Sequence, residues 1–116
     1  MSRMPLERVR ASARIVKLGL QQIKDELAGP VEADAEFLAE TLRELFDEAA
    51  PQHGVLGTLS QLLNIAAQAA VLTPVDGDDS ESAACAIEEA AAFVTDSVGM
   101  RLHLATSTLH PQGERP

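Results

Sequence analysis

Residues 55–73 of this chain read VLGTLSQLLNIAAQAAVLT, a stretch without a single charged side chain. The nearest Asp, Glu, Lys or Arg residues are Glu48 before it and Asp76 after it. Surface helices carry charged residues on their outer side, so an uncharged helix is expected to lie inside a protein. The stretch is too polar to cross a bilayer, because each buried amide or hydroxyl would lose roughly 2–7 kcal/mol in hydrocarbon. We therefore expect the inner helix of a helical bundle.

Two apolar stripes run along this third predicted helix, separated by a narrow row of amide side chains. The first stripe comprises Leu56, Leu59, Leu63, Ala66 and Ala70, the second comprises Leu62, Ile65, Ala69 and Leu72, and the amides are Gln61, Asn64 and Gln68. The amides are open to two interpretations: the solvent side of the helix, or an interface in which they set the register against a partner. Under the second interpretation, the interface residues are Gln61, Asn64, Gln68, Leu62 and Ile65.

Two helices with a heptad pattern precede this stretch. The first has apolar residues at Leu6, Val9, Ala13, Val16, Leu20, Ile23 and Leu27, and should stop at Gly29 and Pro30. The second should begin between Pro30 and Asp34 and run to Ala50, with Pro51 as its stop. The short connection predicts an antiparallel hairpin. In that hairpin Arg8, Arg10, Arg14 and Lys17 would lie beside Glu40, Glu44, Asp47 and Glu48.

Residues 52–57 form the expected linker, and Thr58 followed by Gln61 has the form of a capping box that would start the third helix. The fourth helix should begin after Asp78 or Asp79, bury a stripe that includes Val98, and be weakest at Gly99. Residues 100–104 alternate between apolar and polar as a strand does, but we favour a helix that continues to about Thr106. The predicted fold is all-α: an antiparallel four-helix bundle in up-down-up-down order, with helix three the most buried. Residues 1–110 should form one domain, and residues 111–116 a disordered tail.

The net charge of −9 and the pI of about 4.6 argue against nucleic acid or a membrane as a partner, since both bind positive surfaces. The single cysteine, Cys85, has no partner for an internal disulfide and is expected to be a small buried residue. This cysteine usage is typical of the reducing cytoplasm. Arg outnumbers Lys, as is common in bacteria with GC-rich genomes.

Few residues suggest catalysis. The acidic row Glu36, Glu40, Glu44 and Asp47 could hold Mg²⁺ in a hydrolase, but such enzymes need a second acidic motif, and Glu88 with Glu89 lacks its spacing. His53, His103 and His110 share no metal-ligand spacing. We predict no cofactor.

The function predicted first is a non-enzymatic, acidic interaction or oligomerisation module. Its partner would be a second copy, forming a homodimer, or another protein, such as a basic protein that it inhibits. The alternatives are the Mg-dependent hydrolase and a bundle that binds a hydrophobic small molecule in a cavity lined by Ala66, Ala69, Ala90 and Phe93.

Overall fold

A computed structural model of the chain describes residues 3–29, 34–75 and 77–109. All regular structure in these residues is helical, which confirms the all-α class. The α-helices are α1 (Arg3–Ala28), α2 (Ala35–Leu45), α3 (Val55–Val71), α4 (Asp79–Phe93) and α5 (Met100–Leu109). A 3₁₀ turn, Pro51–His53, precedes α3, and a π-helical segment, Val94–Gly99, joins α4 to α5 in one continuous helical stretch. The described helices include none that is both long and apolar enough to span a membrane.

The chain divides into two compact units, residues 1–34 and residues 35–116. The first unit is built on α1, which begins at Arg3, three residues before the first apolar residue of the predicted seam, Leu6. Pro5 is tolerated there because the first N–H groups of a helix have no intrahelical acceptor. The seam residues of α1 are largely exposed, with Val9 at 62% and Val16 at 57%. The hairpin between the first two helices, with its ion pairs, stays a prediction.

Helix α2 ends at Leu45, five residues before the predicted end at Ala50. Asp47 explains the difference, because its Oδ1 accepts a hydrogen bond from the backbone N–H of Ala49 at 3.0 Å. An Asp side chain that bonds the backbone two residues on favours a turn over a helix. Phe46 follows α2 at the start of this turn and is the buried aromatic residue of residues 35–116, with 4% of its surface exposed.

The start of α3 also differs from the prediction. The helix begins at Val55, and Thr58 forms no capping box, because its Oγ1 donates to the carbonyl of Gly54 at 3.0 Å from within the first turn. Gly57 lies so close to the 3₁₀ turn that a Cβ there would overlap the carbonyl oxygen of Pro51. Much of the expected linker is therefore helical and packed.

Helix α3 packs mainly against α4 through small side chains. Ala67 and Ala91 are each 1% exposed, and the hydroxyl of Ser60 donates to the carbonyl of Ala91 at 3.0 Å. Helix α3 is not an enclosed helix, however, because Leu62 and Ile65 are each 61% exposed. Ten of the 17 residues of α3 are exposed, against four of the ten in α5, so the expectation that helix three is the most buried is wrong for the described chain.

The segment after α4 changes which residues face inward. The heptad stripe of the fourth predicted helix placed Val98 inside, yet Val98 is 41% exposed and Gly99 is buried. A π-helix has more residues per turn than an α-helix, so the inward position moves along by one residue.

Residues 100–104 are helical, as favoured, and α5 packs on α2. Thr106 is buried, and its hydroxyl donates to the carbonyl of Leu102 at 2.9 Å. The predicted tail, residues 111–116, lies outside the described residues.

Candidate interaction surface

The five predicted interface residues lie together on the outer side of α3. Gln61, Leu62, Asn64, Ile65 and Gln68 are all exposed. At 3.6 residues per turn they fall within less than half of the helix circumference. The three amides lie along one side of Ile65 and Leu62, whose side chains are each 61% exposed. The geometry therefore groups the residues that the sequence singled out, on the side of α3 opposite its buried Ala67.

The amide groups on this surface are free to bind a partner. Gln61, Asn64 and Gln68 make no hydrogen bond through their side chains to any other described residue. Each amide can donate through its nitrogen and accept through its oxygen, so it pairs with a backbone or with another amide without burying a charge. A surface of this type tolerates removal from water better than one that carries Lys or Glu.

The predicted cavity for a hydrophobic molecule has an exposed lining. Ala69 and Ala90 are exposed, and Phe93 is 65% exposed. Ala66 is half-buried, so one of the four predicted lining residues is partly covered and three are open to solvent.

The acidic row of α2 is dispersed. Glu36 and Glu44 are exposed, the carboxylate of Glu40 accepts a hydrogen bond from Arg43 at 2.8 Å, and Asp47 is engaged in its turn. Within the described ranges, no three His, Cys, Asp or Glu side chains lie close enough together to hold a metal ion. Glu36, Glu40 and Glu44 are exposed on α2, whereas Asp47 lies beyond its end at Leu45 and is half-buried.

A cleft of about 340 Å³ between the end of α2 and α5 was not predicted from the sequence. It is lined by Arg43, Phe46, Asp47, Glu48, Ala49, His103, Thr106 and Ser107. The cleft could not be predicted because the sequence pattern assigned residues 46–50 to a helix, whereas the structure has a turn there, next to the cleft. Its lining combines charged side chains of both signs with an imidazole and two hydroxyl groups.

Cys85 is exposed on α4, which corrects the expectation of a buried cysteine. Cys85 follows the buried Ala84 in sequence, so its side chain points about 100° around the helix axis from the packed face. His53 is exposed and His103 is half-buried, and neither forms part of a metal-binding group among the described residues. His110 lies outside those residues.

No family model, curated protein or solved structure matches the chain in comparisons with known proteins.

Proposed function

We propose that this protein is a non-enzymatic interaction module that self-associates through the outer side of α3. The observation that carries the proposal is the exposure of Leu62 and Ile65, at 61% each, beside the three amides Gln61, Asn64 and Gln68. Exposed apolar side chains grouped on one surface and bordered by polar groups are typical of protein interfaces.

Charge favours a second copy over a basic protein as the partner at this surface. The chain has a net charge of −9, so two copies repel each other wherever their acidic helices meet. Helix α3 carries no charged side chain at all, and it is therefore the surface on which two copies can approach at least electrostatic cost. A basic partner would instead be attracted to the acidic rows outside α3.

The size of the surface limits the strength of the dimer. A 17-residue helix is only about 25 Å long, and its outer face alone falls short of the roughly 800 Å² per partner that a stable interface buries. Phe93 of α4 is 65% exposed, but it lies on the side of α4 opposite the buried Ala91 and so does not enlarge this surface. We therefore infer a weak homodimer whose interface is centred on α3.

The proposal includes the up-down-up-down arrangement of the predicted bundle. Ser60 and Ala91, joined by a hydrogen bond, lie nearly equidistant in sequence from residues 75 and 76, as expected for antiparallel α3 and α4. We also place the protein in a reducing compartment, the cytoplasm, because the exposed free thiol of Cys85 persists there.

Light scattering of the purified chain tests the proposal. The wild-type chain should have the mass of a dimer, with self-association that strengthens as salt screens the net charge. Asn64→Lys should yield a monomer, because a buried lysine ammonium at the interface is strongly unfavourable.

The matched control is Thr108→Lys, which adds the same charge at an exposed position of α5 and should leave the dimer intact. A monomeric wild type, or an Asn64→Lys variant with unchanged mass, would contradict the proposal. Circular dichroism of both variants separates loss of assembly from loss of helix.

A further inference from the structure

Five outward residues of α3 are spaced symmetrically about Ile65. Leu62 and Gln68 lie three residues before and after it, Gln61 and Ala69 lie four residues before and after it, and all are exposed. Successive residues turn by about 100° around the helix axis, so Gln61 and Gln68 fall on one flank of Ile65. Leu62 and Ala69 fall on the other flank. The outer side of α3 thus has an amide flank and an apolar flank.

The direction in which a second copy pairs with α3 decides which flanks meet. In an antiparallel pair related by a two-fold axis near Ile65, like flanks face each other, and Gln61 lies opposite Gln68 of the second copy. The apolar flanks then meet as well, with Leu62 against Ala69. In a parallel pair, unlike flanks face each other, so the amides of one copy lie against the apolar flank of the other.

Hydrogen bonding favours the antiparallel pair. An amide removed from water loses less free energy when it finds a hydrogen-bond partner, and two facing amides can each donate and accept. Gln61 and Gln68 form no side-chain hydrogen bond with any described residue, so both are available for this pairing. Against the apolar flank the same amides would be left unpaired, which opposes association.

The distribution of charge along the sequence favours the same direction. Residues 74–81, which follow α3, hold four acidic residues and no Lys or Arg, whereas residues 49–58, which lead into α3, hold no Asp, Glu, Lys or Arg. A parallel pair would bring two of the acidic segments together. An antiparallel pair separates them by about 25 Å, the length of the helix, which is well beyond the screening length of about 8 Å at physiological salt.

We propose that two copies of the chain associate with their α3 helices antiparallel, with Ile65 packed on Ile65 at the two-fold axis and Gln61 hydrogen-bonded to Gln68 of the second copy. The inference rests on the self-association through α3 proposed above, and it adds the direction and the register of that association. Both amide pairs form together, because the two-fold axis repeats each contact. The amides thus fix one orientation of the second copy, as buried polar residues do in coiled coils.

Cysteine cross-linking on the full chain tests the direction. Thr58 and Leu72 lie seven residues before and after Ile65, on the same outward side, and both are exposed. With Cys85→Ser as the background, chains with Thr58→Cys and chains with Leu72→Cys are oxidised separately and as an equal mixture. The mixture should form the disulfide between positions 58 and 72 at least about 10-fold faster than either variant cross-links alone, because like positions lie about 21 Å apart in the antiparallel pair.

Light scattering of the same samples before oxidation separates this inference from the proposed function. A dimer in which either variant alone cross-links as fast as the mixture would refute the antiparallel direction and leave self-association through α3 standing. A monomer would refute both. A dimer whose mixture cross-links no faster than the control Thr108→Cys, which places the thiol on α5, would also refute both.

The amide pair is tested by its effect on the affinity of the dimer. Gln61→Leu should weaken the dimer about 5-fold, because it leaves Gln68 of the second copy without a partner. Gln61→Leu combined with Gln68→Leu should restore the affinity or exceed it, since both partners become apolar. Unchanged or tighter association of the single variant would overturn the proposal, because a Gln61 that faces the apolar flank of a parallel pair loses nothing on replacement by Leu.

Discussion

The aromatic ring of Phe46 lies against the backbone of Gly99. A Cβ built on Gly99 would stand 2.5 Å from Cε1 and 2.6 Å from Cδ1 of Phe46, closer than real side chains approach. Phe46 follows α2, and Gly99 ends the π-helical segment before α5, so this contact is where the turn after α2 meets the last helical stretch. The absence of a side chain at Gly99 is what admits the ring.

The first prediction is that Gly99→Ala destabilises the chain. Alanine is the better helix former by about 1 kcal/mol, but overpacking against the buried ring costs about 1–3 kcal/mol, and we expect a net loss of about 1 kcal/mol. Urea unfolding followed by circular dichroism measures it. In Gly19→Ala the new methyl group meets nothing within 4 Å, so this control should not lower stability. The loss should also shrink in a Phe46→Leu background, and an identical loss in that background would contradict the assigned contact.

The second prediction is that Gly57→Ala is more damaging than Gly99→Ala. The obstacle at Gly57 is backbone: the new methyl group would overlap the Pro51 carbonyl oxygen and lie 2.8 Å from Cα of Gln52. Backbone cannot rotate away as a side chain can, so we expect a loss of about 3 kcal/mol. Thermal unfolding compares the two variants, and Gly57→Ala should have the lower midpoint temperature. Equal midpoints would contradict the prediction and show that the 3₁₀ turn moves to accommodate the methyl group at little cost.

The third prediction concerns the hydrogen bond between α3 and α4. Ser60→Ala removes the bond from the Ser60 hydroxyl to the carbonyl of Ala91 and should cost about 0.5–1.5 kcal/mol. Thr108→Ala is the control, because it removes a hydroxyl whose bond, to the carbonyl of Leu104, stays within one helix. Denaturant unfolding should separate the two variants. If both lose the same stability, the bond between the helices contributes nothing.

The fourth prediction is that the thiol of Cys85 reacts in the folded protein. Because the side chain is exposed, a chromogenic disulfide reagent should modify one thiol per chain without denaturant. The modified chain should keep its helical circular dichroism, since the reagent displaces no packed group. Cys85→Ser, which removes the only thiol, gives the blank. Reaction only after unfolding would mean that the cysteine is covered, for instance by self-association.

The periodicity of apolar residues was enough to predict the helices, and the Gly, Pro and Asp residues beside them predicted some of their limits. Helix α1 stops at Ala28, just before the predicted Gly29, and α4 begins at Asp79 as expected. These features depend on backbone hydrogen bonds within one segment and on residues next to it in sequence, which is why a sequence pattern predicts them. The same periodicity placed the amides Gln61, Asn64 and Gln68 on one side of α3.

The sequence by itself determined that this chain is helical, that α1 stops before Gly29, and that α3 carries no charge. Only the tertiary structure decided that α2 stops at Leu45, that Gly99 replaces Val98 on the inside, and that Leu62 and Ile65 face outward. The physical reason is that helix formation depends on local hydrogen bonds, whereas burial depends on which distant segments come to pack against a given face. An uncharged helix can be covered by its own chain or by another, and its sequence is the same in both cases.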